Sequence, residues 1–250
     1  MVNCLENKVA IVTGAGSGIG RAIALSYAAS GAKVAVSDIA EDSGMKTVDM
    51  ITTAGGDAFF VQADTSNAHE NAALVEATMA RYGALHVACN NAGIGGPTAT
   101  VGECEPEDWD KVIAANLSGP FYGMRYQIPA MLASGGGSIV NMASILAEVG
   151  FSEHAGHVAA KHGLVGLTKT AGLEYATRGI RVNAVGPAFI KTPLLDKLPP
   201  EQLAALTSLH PAGRLGEPSE VAELVLWLSS DKASFVTGAY YPVDGGYLAQ

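Results

Sequence analysis

No stretch of this sequence stays apolar for the roughly 18 residues that a membrane-spanning helix needs. Cysteine is scarce: Cys4, Cys89 and Cys104 are the 3 in a chain of 250 residues. An odd number without CxxC spacing supports neither a disulfide framework nor a zinc knuckle, so all read as free thiols, Cys89 in the core. Basic residues are also few, 15 Lys and Arg against 24 Asp and Glu, for a net charge of -9. A grip on phosphate backbones or anionic membranes needs clustered Lys and Arg, so neither nucleic acid nor membrane is an expected partner. The opening "MVNCLENKVAIVTG" has no basic region ahead of an apolar run and no small-residue cleavage site, which makes a soluble, cytoplasmic protein the expectation.

What the chain does have is apolar content, 48% of residues, enough for one large core over residues 1–250 as a single domain. Short β-branched runs recur at 8–14, 33–38, 58–64, 85–93, 137–144, 180–187 and 239–246. Between them lie amphipathic segments at 18–30, 41–54, 67–82, 106–134, 155–178 and 217–230. Near-continuous apolar strands alternating with helices predict an α/β doubly wound parallel sheet of about seven strands, covered on both faces. Pro120 and Pro129 interrupt or kink the 106–134 helix. Residues 188–216 read as an irregular insertion, a candidate lid at the carboxyl edge of the sheet.

The turn after the first strand, "TGAGSGIG", holds Gly14, Gly16, Gly18 and Gly20. Glycine there permits a tight turn and lets backbone amides approach a pyrophosphate at the positive helix N-terminus. Asp38 ends the second strand, where a carboxylate can accept both hydroxyls of an adenosine ribose and repel a 2′-phosphate. With no Arg or Lys at 15–17 or 39, NAD(H) is favoured over NADP. The plainer reading of Asp38 is a strand-end turn residue. A second concentration of chemistry is "SEHAGHVAAKHG", residues 152–163, with His154, His157, Lys161 and His162. His157 and Lys161 are one turn apart on one helix face and can address the same ligand. The three histidines do not share a face, so no metal is expected.

With "TGAGSGIG", "NNAG" (90–93), Asn116, "SIVNMAS" ending in Ser144, Lys161 and "RVNAVGPAFIKT" (181–192), the chain resembles the classical short-chain dehydrogenases/reductases along nearly its whole length. The resemblance implies a Rossmann-type oxidoreductase, a dimer or homotetramer, that transfers hydride between a nicotinamide cofactor and an alcohol or carbonyl. It implies cofactor contacts from Gly14, Ser17, Gly18, Ile19 and Gly20 at the pyrophosphate. Asp64 and Thr65 would lie near adenine and Asn91, Ala92 and Gly93 after the fourth strand. Val185, Pro187, Ile190 and Thr192 would hold the nicotinamide. Ser144 would hydrogen-bond the substrate oxygen, Lys161 the nicotinamide ribose, and Asn116 a water in a proton path.

There are two departures: Ala188 stands where the family commonly has glycine, and His157 where it has tyrosine. A lysine cation lowers an imidazole pKa below its ordinary 6.5, so His157 should be mostly neutral at pH 7. That favours alcohol oxidation over ketone reduction and predicts an impaired active-site variant with cofactor binding intact. A non-catalytic NAD-binding scaffold is the alternative, and a metal-dependent hydrolase a weaker third.

The substrate pocket is expected from Gly95, Ile145, Leu146, Phe151 and His154, closed by Phe189, Leu194 and Leu195 of the lid. These are mostly apolar and suit a small neutral carbonyl or alcohol. Apolar residues on more than one face of the 106–134 and 155–178 helices, Phe121 and Leu173 among them, lead to a symmetric homotetramer as the expectation.

Overall fold

The computed structural model describes residues 3–193 and 195–250, with only the backbone of Lys197. The β-branched runs form β1 (Val9–Thr13), β2 (Lys33–Asp38), β3 (Asp57–Gln62), β4 (Val87–Asn90), β5 (Gly137–Met142), β6 (Ile180–Pro187) and β7 (Tyr240–Val243). They pair in parallel in the order β3-β2-β1-β4-β5-β6-β7. Between them lie α1 (Gly18–Ala29), α2 (Glu41–Thr53), α3 (Ala68–Tyr82), α4 (Pro106–Ile113), α5 (Gly119–Ala133), α6 (Ala155–Tyr175), α7 (Pro200–Ser208) and α8 (Pro218–Ser229).

The pleat sends alternate strand residues to opposite faces. Ala10, Val12, Val34 and Val36 pack with Ile23 and Tyr27 of α1 and Val225 of α8 on one side. Ile11, Ala35, Ala88 and Ile139 meet Leu74 of α3 and Met124 and Ile128 of α5 on the other. Each strand is thus apolar on both sides, which is why the runs read as continuous rather than alternating. Strand order reverses between β1 and β4, and this opens a crevice at their carboxyl ends.

The long segment 106–134 is interrupted by a π-helical turn at Ala114–Ser118, and Pro129 lies inside α5. Pro120 has no N–H to give the Asn116 carbonyl four residues back, so the regular ladder fails one turn before it. The insertion 188–216 is not irregular throughout: it carries a 3-10 turn at Leu195–Lys197 and the helix α7, started by Pro200 in its first turn. Asp64 and Thr65 lie past the end of β3. The helix that follows is capped by Asn67, whose side chain accepts from His69 N at 2.9 Å. No helix among the described residues is long and apolar enough to cross a membrane.

Candidate active site

The glycine turn after β1 is held by contacts only glycine allows. A Cβ on Gly20 would stand 2.1 Å from the Gly14 carbonyl oxygen, so α1 can start this close to β1 only because position 20 has no side chain. Ser17 precedes the helix and gives it no side-chain cap, which leaves the amides of Gly18, Ile19 and Gly20 as donors for an anion at the positive helix end. The turn is knitted to the end of β4. Asn91 and Ala92 donate their backbone N–H groups to Thr13 Oγ1 at 3.0 and 3.1 Å, and Asn91 Nδ2 donates to the Thr13 carbonyl at 2.9 Å. These donors and this close backbone approach fit a dinucleotide.

Asp38 sits at the carboxyl end of β2. Its Oδ2 accepts from Gly16 N at 2.8 Å and its Oδ1 from Ala40 N at 2.9 Å, which aims the carboxylate along the rim of the turn. Arg21, which sequence reasoning passed over, also reaches this rim. Its guanidinium donates to the Gly16 carbonyl, and its Nε to Thr47 Oγ1 at 3.0 Å. The spacing of an arginine four residues beyond Ser17 was the available signal. Asp64 is occupied locally, its Oδ1 accepting from Ser66 N and Oγ at 2.9 and 2.7 Å, and the Thr65 carbonyl accepts from Asn71.

At the carboxyl ends of β4 and β5, three of the four expected catalytic positions come together. Asn116, on the π-helical turn, is fully buried. Its Oδ1 accepts from Ile94 N and its Nδ2 donates to the Ile94 carbonyl, both at 2.8 Å. His157, on the first turn of α6, places Nδ1 3.1 Å from the same Ile94 carbonyl and 3.4 Å from Asn116 Nδ2. Lys161, one turn further, is buried and donates from Nζ to the Met142 carbonyl at 2.7 Å. Gly93 lies against both groups: a Cβ there would be 2.7 Å from Asn116 Oδ1 and 3.7 Å from Lys161 Nζ.

Ser144 lies just past β5, two residues beyond the Met142 carbonyl that Lys161 meets. Its Oγ accepts from Leu146 N at 3.1 Å and its carbonyl accepts from the Tyr240 hydroxyl at 3.0 Å. Among the described residues no hydrogen bond joins it to His157.

Burial sets the electrostatics. Desolvation lowers the His157 pKa to about 4, with the Lys161 cation and His154 pushing the same way and the Ile94 carbonyl opposing. Desolvation likewise lowers Lys161 to about 8. At pH 7 the pair is therefore a neutral imidazole beside an ammonium.

The remaining predicted contacts divide. Thr192 packs at the glycine turn, its Cγ2 3.1 Å from where a Cβ on Gly18 would lie. Pro187 ends β6, buried, and Ile190 is turned into the core. Ala188 lies outside the left-handed region, so glycine is not required there. Gly95 and His154 line a small concavity with His157, Trp109 and Val112. Ile145 and Leu146 are buried, at 2% and 7% exposure.

Phe151 stacks edge-on to His154, ring centroids 5.0 Å apart, and against Phe189 at 6.0 Å. Phe189 also meets His210 and Tyr247, which the sequence reading did not include, at 5.8 and 6.2 Å. A larger cavity of about 90 Å³ lies behind this cluster, lined by Phe189, His210, Arg214 and Asp244. It does not reach His157, so the smaller concavity is the one beside the reactive groups. Leu195 is half-buried, and Leu194 lies outside the described residues. Among those residues no three His, Cys, Asp or Glu side chains are grouped to hold a metal ion.

Comparison with known proteins agrees with this geometry. A family described as enoyl-(acyl carrier protein) reductase matches residues 14–248. Cyclohexanol dehydrogenase of Acinetobacter sp. (strain SE19) is 50% identical over 250 residues, covering 100% of this chain and 98% of that protein. Cis-4-hydroxycyclohexanecarboxylate dehydrogenase of Sinomonas cyclohexanicum is 41% identical over 249 residues, with 100% of each chain covered.

Among solved structures, levodione reductase superposes with a TM-score of 0.94 at 35% identity, covering 98% of this chain and 99% of that one. A protein from Agrobacterium tumefaciens assigned as a 2-deoxy-D-gluconate 3-dehydrogenase, solved with bound NADP, gives 0.90 at 36%, covering 98% of each chain. The family and these relatives point to an oxidoreductase with a nicotinamide cofactor. The chain belongs to the short-chain dehydrogenase/reductase family.

Proposed function

We propose that residues 1–250 act as one dinucleotide-binding and catalytic domain, an NAD(H)-dependent dehydrogenase for small neutral secondary alcohols and their ketones. The observation that carries the reading is the meeting of Asn116, His157 and Lys161 at the carboxyl ends of β4 and β5, next to the glycine turn. In the crevice the nicotinamide supplies or accepts the hydride. The amides of residues 18–20 hold the pyrophosphate, Lys161 orients the nicotinamide ribose, and Ser144 orients the substrate oxygen. His157 occupies the acid/base position.

Asp38 supports NAD over NADP, because its carboxylate would meet a 2′-phosphate with like charge. Arg21 does not reverse this: its guanidinium is engaged on Gly16, Ser43 and Thr47. The aromatic cluster of Phe151, Phe189 and Tyr247 favours a carbocyclic alcohol, as the name of the Acinetobacter relative suggests. We read 188–216, which carries Phe189, as the substrate lid. Leu173 and Phe235, exposed at 82% and 102%, support a homotetramer that covers them. The free thiols support a cytoplasmic setting.

His157 makes this an impaired form of the family's chemistry, since general acid/base terms are worth about 10²–10⁴-fold in rate. That no hydrogen bond joins His157 to Ser144 among the described residues favours a second reading, a non-catalytic NAD-binding scaffold. Steady-state oxidation of cyclohexanol with NAD and with NADP, for the native chain and His157→Tyr, tests both. The proposal expects slow native turnover with NAD preferred, and faster turnover in the tyrosine form. NAD binding without native turnover would favour the scaffold.

A further inference from the structure

We infer that Asn116 is a positioning residue that, through the Ile94 carbonyl, fixes His157 in the tautomer protonated on Nδ1. At neutral pH the site thereby presents a resting proton acceptor, Nε2, to the substrate oxygen. The inference rests on the oxidoreductase reading above.

The Asn116 amide meets both backbone groups of Ile94, oxygen to N–H and NH₂ to carbonyl, each at 2.8 Å. A flipped amide would oppose donor to donor and acceptor to acceptor, so its orientation is fixed. Ile94 is therefore held with its carbonyl toward His157, 3.1 Å from Nδ1. A proton on Nδ1 makes that contact a hydrogen bond. A bare Nδ1 would face the carbonyl lone pairs at the same distance, compensated only by the 3.4 Å approach of Asn116 Nδ2, beyond good hydrogen-bond range. The first arrangement is the favourable one.

A neutral ring with its proton on Nδ1 presents at Nε2 a lone pair and no donor. Its basic neighbours act to keep it neutral. Lys161 stands one turn along α6 and His154 at the helix start, both disfavouring a second proton. Asp108 of α4, Glu153 and Cys104 line the same concavity, and none of them hydrogen-bonds the ring. The pKa of about 4 agrees, leaving the lone pair free at neutral pH.

In alcohol oxidation the O–H bond breaks toward Nε2, a new N–H bond forms there, and the carbinol C–H electron pair leaves as hydride to oxidised nicotinamide as the C=O forms. The imidazolium then loses the added proton to solvent. The reverse step retraces this path and needs the ring protonated on both nitrogens, a minor form at neutral pH that grows as pH falls toward the pKa of about 4.

Two-bond ¹H–¹⁵N spectra of the ¹⁵N-histidine-labelled full chain test this without cofactor or substrate, with His157→Gln assigning the signals. The native protein should show a protonated-type Nδ1 and a bare Nε2 for His157. Asn116→Asp keeps the acceptor for Ile94 N but sets a carboxylate beside Nδ1, and should raise the His157 pKa by about 1–3 units. Asn116→Ala should let the two tautomers mix. A merely structural asparagine would leave the tautomer unmoved in Asn116→Ala.

A bare Nδ1 in the native spectrum overturns the inference, and needs no variant to fold. So does a tautomer unchanged in Asn116→Ala. A native chain with Nδ1 protonated but no hydride transfer would uphold the positioning and refute the function it serves.

Discussion

Replacing His157 by Gln should remove a pH-dependent part of the stability, and its size follows from the site. The unfolded chain protonates His157 near its ordinary 6.5, whereas burial holds the folded group to about 4. Between those values the unfolded state binds more protons, so stability rises with pH through this window and falls as pH drops from 6.5 toward 4. At 1.36 kcal/mol per unit, the native chain should lose about 2 kcal/mol by pH 5 and about 3 kcal/mol by pH 4 from this group. His157→Gln carries the same carboxylates and lacks this loss, so the difference isolates the imidazole. Urea midpoints at intervals from pH 7.5 to pH 4.5 measure it. A native-minus-variant stability that stays flat between pH 7 and pH 5 would refute the claim that the ring is held neutral by its surroundings.

Asp38→Asn removes the negative charge that opposes a 2′-phosphate, and the NAD to NADP ratio of kcat/KM should fall about 10–100-fold, the worth of one or two charge-assisted contacts. Unchanged discrimination would put cofactor choice elsewhere. Lys161→Met should cut turnover about 100-fold yet leave stability at pH 7 unchanged or higher, because a buried amine lowered to about 8 is destabilising at every pH below that value. A clear loss of stability, read by urea denaturation, would mean that the hydrogen bond to Met142 outweighs the desolvation. Gly20→Ala forces a methyl to 2.1 Å from the Gly14 carbonyl, so NAD binding by calorimetry should be lost, with at least about 2 kcal/mol of destabilisation. Near-native binding would show that the turn is not the cofactor cradle.

The parallel sheet was legible because its strands are apolar on both faces, a pattern that needs no tertiary information. The turn at Gly14–Gly20 was also legible, since glycine spacing reports a backbone constraint directly. The interruption of 106–134 was legible from its prolines, but its place at Ala114–Ser118 was not: Pro120 acts one turn upstream, on the Asn116 carbonyl, and no local propensity marks where the missing bond is absorbed. Helix α7 was hidden because "PPEQLAALTSLH" is short and, with none of the helix's residues buried, carries no strong apolar stripe. His157 and Lys161 were read as neighbours from i, i+4 spacing. Their link to Ile94 joins positions 63 residues apart, which no periodicity reveals.

The most direct measurement is single-turnover formation of reduced nicotinamide from NAD and cyclohexanol by the native chain, followed across pH beside His157→Tyr. The account predicts slow hydride transfer in the native protein, steady at neutral pH and failing in acid as the imidazole takes up its proton. The tyrosine form should be faster. Tight NAD binding with no reduced nicotinamide at any pH would contradict the claim that His157 serves as the base.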